Sequence, residues 1–344
     1  MIFTNWDPLE EVIVGNCSIQ SNLSASLDLI LEETKADLDN LADYLTRLGV
    51  KVQRPRATNL NEIDFTDFKV RLPTQPIVPR DQYLVYGSTV YQTYTSMPDR
   101  YADGYAYYDV FADLFKQGYN WLSMPPPMIK NFDVNDRWYT AGGRIYGKEL
   151  KDRLLWHTAT MFKCGDALIT NSKGPGTQQG LEWMRRNIDA RIFRNPGTLA
   201  RNFGHIDHGF YMTDDETVIC LNQDWLPAVL KNKRIIDLSG KYTAFDYAAF
   251  AAATAGDRFS EPWLDRWLTE WRGYAQPVAF EANVLVVDSQ NIIFSAVQPQ
   301  VFKLLEKLGI NCHVCEQRHG MFWEAGIHCL TLDVRRSGNR RKVI

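Results

Sequence analysis

The chain has 344 residues, 45% hydrophobic and 23% charged, with 38 Lys and Arg against 41 Asp and Glu for a formal net charge of -3. That balance excludes the basic footprint of a nucleic-acid or anionic-membrane binder, and a chain this long builds a core without disulfide or metal staples. Six cysteines (Cys17, Cys164, Cys220, Cys312, Cys315, Cys329) are too sparse for the disulfide framework of a small secreted domain.

The N-terminal residues Met1 to Asp7 have neither a basic nor an apolar leader segment, and no apolar run nears the roughly 20 residues that span a bilayer. A cytoplasmic protein with reduced thiols is expected, acting on small molecules with no nucleic-acid or membrane partner. In chain order, Leu41 to Pro55 reads as an amphipathic helix stopped at Leu48-Gly49 and followed by a strand, with Gly49 suited to the left-handed position after a helix. Tyr83 to Tyr91 reads as a hairpin about Tyr86-Gly87-Ser88. Thr95 to Arg153, rich in Tyr, Asp and Pro, departs from this plan and reads as an irregular insertion with one helix at Tyr108 to Gln117.

Leu181 to Asn195 repeats the helix-then-strand unit without a glycine, and Leu226 to Leu238 is a shorter version. Gly209 to Leu221 turns at Asp214-Asp215-Glu216, and Asn283 to Phe294 at Asp288-Ser289-Gln290. Val301 to Glu316 returns to helix, Leu308-Gly309 stop and strand. About five hairpin-plus-helix units from end to end predict one domain over 1–344, a pseudo-symmetric α/β ring, with a doubly wound α/β sheet as the competing arrangement. No glycine-rich phosphate loop follows a predicted strand, which counts against nucleotide binding.

Three groups of residues could carry chemistry. Cys329 is expected at the start of a late strand, just after a glycine-containing loop, from which its sulfur could enter a central cavity. A lone cysteine is otherwise a small buried hydrophobe. His328 is its sequence neighbour and would face away on a strand. In Gly204-His205-Ile206-Asp207-His208, strand spacing puts His205 and Asp207 on one face and His208 on the other. A zinc site there would need further ligands from Cys312, His313 and Cys315, whose two sulfurs face opposite ways on a strand, so no metal is expected. Arg80-Asp81 and Asp166, each just before a predicted strand, are either turn carboxylates with a neighbouring arginine or planar partners for a guanidinium.

Together these blocks resemble the amidinotransferase family, typified by glycine amidinotransferase and inosamine-phosphate amidinotransferases. The matching segments are Trp6 to Gly15, Pro79-Arg80-Asp81, Leu181 to Arg186, His205-Ile206-Asp207, Glu306 to Ile310 and His328-Cys329 through Arg336. The resemblance implies a five-bladed α/β propeller (the pentein fold), no cofactor, a guanidine donor and an amine acceptor, and by analogy a homodimer. It implies Cys329 as nucleophile, His205 as acid–base, and Asp81 and Asp207 as grips for the guanidinium; Arg80, Asp166 and Asn283 are further candidate substrate contacts read from the residues themselves. Where the family has an aspartate-rich block, this chain reads Trp156-His157-Thr158-Ala159-Thr160-Met161, so His157 falls at a catalytic carboxylate's position. Asn222 to Trp225 stands where the family has an arginine, and Gln276-Pro277 where it has hydroxyl residues. Amidino transfer through an amidino-cysteine, by a ping-pong route in specialised metabolism, is the expected activity. A hydrolase of the same superfamily and a non-catalytic guanidine binder are the alternatives.

Overall fold

The structure, a computed structural model, describes residues 1–21, 23–57, 75–95, 100–101, 103–127, 153–171, 176–195, 205–241, 256, 260–273 and 282–344. Its strands form five three-stranded sheets of one design. In each, two strands pair antiparallel, as a hairpin in four sheets and as the two chain ends in the fifth, and a third strand lies parallel to the second. A parallel third strand requires a crossover, which the helices supply.

Blade 1 is β3 (Tyr83–Tyr86), β4 (Thr89–Gln92) and β5 (Asn120–Ser123), crossed by α2 (Asp103–Lys116). Blade 2 is β6 (Met161–Cys164), β7 (Ala167–Asn171) and β8 (Arg191–Asn195), crossed by α3 (Gln178–Asn187). Blade 3 is β9 (Phe210–Met212), β10 (Thr217–Cys220) and β11 (Arg234–Asp237). Blade 4 is β12 (Leu285–Asp288), β13 (Asn291–Phe294) and β14 (Asn311–Val314), crossed by α5 (Pro299–Glu306). Blade 5 joins the two ends of the chain: β15 (Thr331–Arg336) pairs with β1 (Leu9–Val14), which pairs with β2 (Lys51–Gln53) after α1 (Ala25–Arg47). Two short helices, α4 (Glu261–Arg266) and α6 (Gly320–Trp323), pack beside α1 in one apolar cluster.

Local chemistry accounts for the repeat. Leu27, Ile30, Leu31, Leu38, Leu41 and Leu45 place one buried stripe along α1, and the Ser24 hydroxyl accepts the Leu27 N–H to cap its start. Gly49 and Gly309 take φ of 84° and 77° at the exits of α1 and α5, the left-handed conformation expected there. The inner strands are apolar and buried on both faces, whereas the outer strands β2, β5, β11 and β14 contain no fully buried residue.

Two expectations are corrected. The stretch called an insertion supplies the second half of blade 1: α2 begins at Asp103 and β5 pairs in parallel with β4, while 96–99, 102 and 128–152 lie outside the described residues. The helix expected at Tyr108 to Gln117 runs instead over Asp103–Lys116, with a buried face of Ala106, Tyr107, Val110, Phe111 and Leu114. In blade 3 the crossover is two 3-10 turns, Gln223–Trp225 and Ala228–Leu230, because Pro227 interrupts the segment. No helix among the described residues is long and apolar enough to cross a membrane.

Beneath the ring's centre, three buried cations converge on Asp333 of β15. Arg80 Nη2 lies 2.7 Å from it, Arg336 Nε 3.1 Å and Lys163 Nζ 3.5 Å. Burial pushes the Lys163 ammonium down to about 7, while the cations around Asp333 hold its carboxyl well below the usual range against the opposing effect of burial. Asp333→Asn leaves these cations without their shared carboxylate and is expected to destabilise the fold by about 3–5 kcal/mol, measured as a lower denaturation midpoint.

Candidate active site

The turn that leads into the first strand of every blade carries a chemically capable side chain. These are Asp81 before β3, His157 before β6, His205 through His208 before β9, Asn283 before β12 and Cys329 before β15. The turns before β3 and β6 touch, as do those before β6 and β9, and β15 contacts the turn before β3. Five positions separated by up to 248 residues in sequence (Asp81 to Cys329) thus face one centre.

The turn Ile327–Leu330 holds Cys329, so the nucleophile candidate precedes the strand rather than opening it. Its sulfur is buried, at 1% residue exposure, but its nearest partners are polar. The Asn283 carboxamide spans the residue: its Oδ1 accepts the Cys329 backbone N–H at 3.1 Å, which fixes the amide's orientation, and its Nδ2 donates to Sγ at 3.0 Å. Asp207 Oδ2 lies 3.6 Å from the same sulfur. Burial, together with the charges of Asp207 and Asp81, pushes the Cys329 thiol well above its ordinary value; the Asn283 donor and Arg80 act in the opposite direction.

Ile206–His208 forms a 3-10 turn where a strand was expected. With about three residues per turn, positions three apart eclipse, so His208 joins His205 at the site instead of facing away; their ring centroids are 5.3 Å apart. One donor atom each from His205, Asp207, His208 and Cys329 lies within 4.8 Å of the others, and the same holds for Asp81, His157 and His205. His205 therefore belongs to both groups. The His157 ring lies 4.5 Å from the His205 ring at a 39° tilt, with Nε2 3.7 Å from Asp81 Oδ2. Asp81 thus sets a carboxylate beside the His157–His205 pair.

The carboxylates are held ionised. Burial opposes ionisation of Asp207, but the His328 Nδ1–H at 2.7 Å and the neighbouring histidines bring its carboxyl well below the usual range. The His328 tautomer follows from Asn5, whose Oδ1 accepts the Lys163 N–H and whose Nδ2 donates to His328 Nε2. His328 is therefore the partner of Asp207 and not an outward-facing bystander. Asp81 is likewise lowered against burial, by His157 and by Arg100, whose Nη1 donates to Asp81 Oδ2 at 2.5 Å. Arg100 is also held by Asp103 and the Val78 carbonyl. Among the described residues, Oδ1 of each carboxylate has no hydrogen-bond partner.

Three proposed substrate contacts have other roles. Arg80 is committed to Asp333 and, through Nε, to the His328 carbonyl at 2.7 Å. Asp166 sits at the β6–β7 turn, at the far end of β6 from His157, and pairs with Arg191. Asn283 grips the thiol. Of the other weighed residues, His313 bonds Tyr44 and Asn291, and Asn222 to Trp225 forms a capped 3-10 turn without a cation. Gln276-Pro277 lies outside the described residues. Arg100, His208, Asn5 and the Asn283–thiol bond were missed. His208 and Asn283 share one signal, a place just before a blade's first strand, whereas Arg100 and Asn5 lie outside that pattern.

No family model matches the chain. It is 24% identical to inosamine-phosphate amidinotransferase 1 of Streptomyces glaucescens over 365 aligned residues, 98% of this chain and 97% of that protein. It superposes on SxtG, an amidinotransferase of Microseira wollei, with a TM-score of 0.77 at 22% identity, covering 100% and 99% of the two chains. A dimethylarginine dimethylaminohydrolase shares the fold at a TM-score of 0.54 and 12% identity, over 94% and 99% of the chains. The pseudo-symmetric ring expected from the repeats, and the five-bladed pentein arrangement implied by the resemblance, are the fold observed, and the doubly wound sheet is excluded.

Two outcomes follow from this geometry. Removing the Asn283 donor takes away a hydrogen bond to a charged sulfur worth about 1.5–3 kcal/mol, so Asn283→Ala should slow iodoacetamide alkylation of Cys329 near neutral pH by about 10–100-fold. Burial depresses His157 to about 3 and His208 and His328 to about 4. Because these folded values lie below the unfolded one, the stability they contribute is complete above about pH 6.5 and is lost as pH falls toward 4 and 3. Denaturation midpoints should drop over that window with a slope of up to about 1.4 kcal/mol per pH unit per histidine, and His157→Asn should flatten it.

Proposed function

We propose that this chain, whose curated relatives and structural neighbours include amidinotransferases, moves an amidino group from L-arginine or a related guanidine to an amine, through an amidino-Cys329 intermediate. The observation that carries the proposal is the convergence of the Cys329 sulfur with His205 and Asp207. A guanidinium between the open oxygens of Asp81 and Asp207 offsets the two charges that raise the thiol. The thiol proton then passes to His205, so the nucleophile is activated by substrate arrival.

The Cys329 thiolate attacks the guanidino carbon, forming the C–S bond and a tetrahedral adduct. The bond from that carbon to the donor's alkyl nitrogen breaks as His205 returns its proton to this nitrogen, and a free amine leaves. The acceptor amine attacks the amidino carbon and gives a proton to His205. The C–S bond then breaks, with the Asn283 N–H stabilising the departing thiolate. His157, neutral in its buried position, packs His205 in place while Asp81 supplies the nearby negative charge. The free state of all six cysteines supports a reducing, cytoplasmic setting.

Incubation with L-arginine and no acceptor should release ornithine and add one amidino group to the peptide that contains Cys329, as read by mass spectrometry. Cys329→Ala should give no adduct while staying folded. Citrulline and ammonia as the products would overturn transfer in favour of hydrolysis.

A further inference from the structure

We propose that His205, Asp207, His208 and Cys329 form a site for a borderline-soft divalent cation, zinc above all, whose occupation reversibly shuts this centre. The donor set is a thiol sulfur, two imidazole nitrogens and one carboxylate oxygen, the mixture that selects zinc over magnesium or calcium. It differs from the set weighed from sequence, because His313 of β14 is bonded to Tyr44 and Asn291.

The turn geometry creates the site. Eclipsing across the 3-10 turn puts His205 and His208 on one side, with Asp207 between them in sequence and the Cys329 sulfur facing all three. Tetrahedral zinc, with bonds of about 2.0–2.3 Å, sets its ligands roughly 3.3–3.6 Å apart. Cys329 Sγ and Asp207 Oδ2 already stand at 3.6 Å, and one donor atom from each of the four residues lies within 4.8 Å of the others. His205 Nδ1 and Asp207 Oδ1 are buried atoms with no hydrogen-bond partner among the described residues.

The surroundings of the ligands are also those of a metal centre. The His328 N–H orients Asp207, and the Asn283 amide donates to the sulfur, as outer partners do around bound metals. On binding, the metal–sulfur bond replaces the S–H bond and one proton is released, while the imidazoles and carboxylate use lone pairs. No electron transfer is involved. Zinc and a guanidine would claim the same sulfur and carboxylate, so they exclude each other. The proposed transfer steps assign no bond or proton to His208.

The test uses the full-length protein freed of metal by a chelator, with cobalt(II) as probe. Thiolate-to-cobalt charge-transfer absorption with tetrahedral ligand-field bands is expected, lost in Cys329→Ser and displaced by zinc. Zinc should inhibit amidino-adduct formation competitively with arginine. His208→Ala should need at least about ten-fold more zinc for the same fractional loss of its own metal-free rate. An octahedral cobalt spectrum without the sulfur band, or unchanged zinc sensitivity in His208→Ala, would overturn the site. The cobalt spectrum needs no turnover, so it stands or falls separately from the proposed activity.

Discussion

One buried guanidinium ties the site together. Arg80 donates through Nη2 to Asp333 and through Nε to the carbonyl of His328. Its chain neighbour is Asp81 and the neighbour of His328 is Cys329, so a single planar group sets blade 1's carboxylate against blade 5's sulfur. A lysine could not do this, because a compact ammonium lacks the rigid fork that reaches two acceptors at once. Burying that fork with Arg336 and Lys163 around one carboxylate is costly, and Asp333 offsets the cost only because it is itself fully buried and its carboxylate is shared among three cations. This ion cluster joins the last strand to the first blade, where ring closure depends on strands from the two chain ends.

Above the cluster, electrostatics sets the timing of the chemistry. Two ionised carboxylates beside a buried thiol disfavour the thiolate, which guards the sulfur while no cation is bound. The same two groups attract the guanidinium whose positive charge reverses that bias. His157 fits this scheme as a neutral filler. A carboxylate in its place would stand against Asp81 and raise the cost of keeping both ionised. Arg100 on Asp81 Oδ2 moderates the negative charge further and leaves Oδ1 open. The site therefore keeps fewer free acidic oxygens than its acid residues suggest.

Much of the ring was legible because it rests on local rules. Helix stripes ended by Gly49 and Gly309, and hairpins about Gly87 and Asp288-Ser289-Gln290, follow from periodicity and turn chemistry within short windows. The rule of strand alternation misplaced the site side chains. It was applied across His205 to His208 and at His328-Cys329, where the backbone is in turns. The error reversed two assignments: His208 faces the centre, and His328 supports Asp207. The start of α2 was misplaced because aromatic residues on both faces of the helix masked its period.

The sequence by itself determined the repeated unit, the reactive residue types and, through blocks of resemblance, the identity of Cys329, His205, Asp81 and Asp207 as candidates. These are properties of short segments or of their order. Only the tertiary structure decided which side chains meet. It gave Asn283 to the thiol, Asp81 to the His157–His205 pair, Arg80 to the scaffold and Asp166 to Arg191. The physical reason is that the site is assembled from five turns on five blades. Its geometry depends on ring closure and on long-range hydrogen bonds that no local window contains.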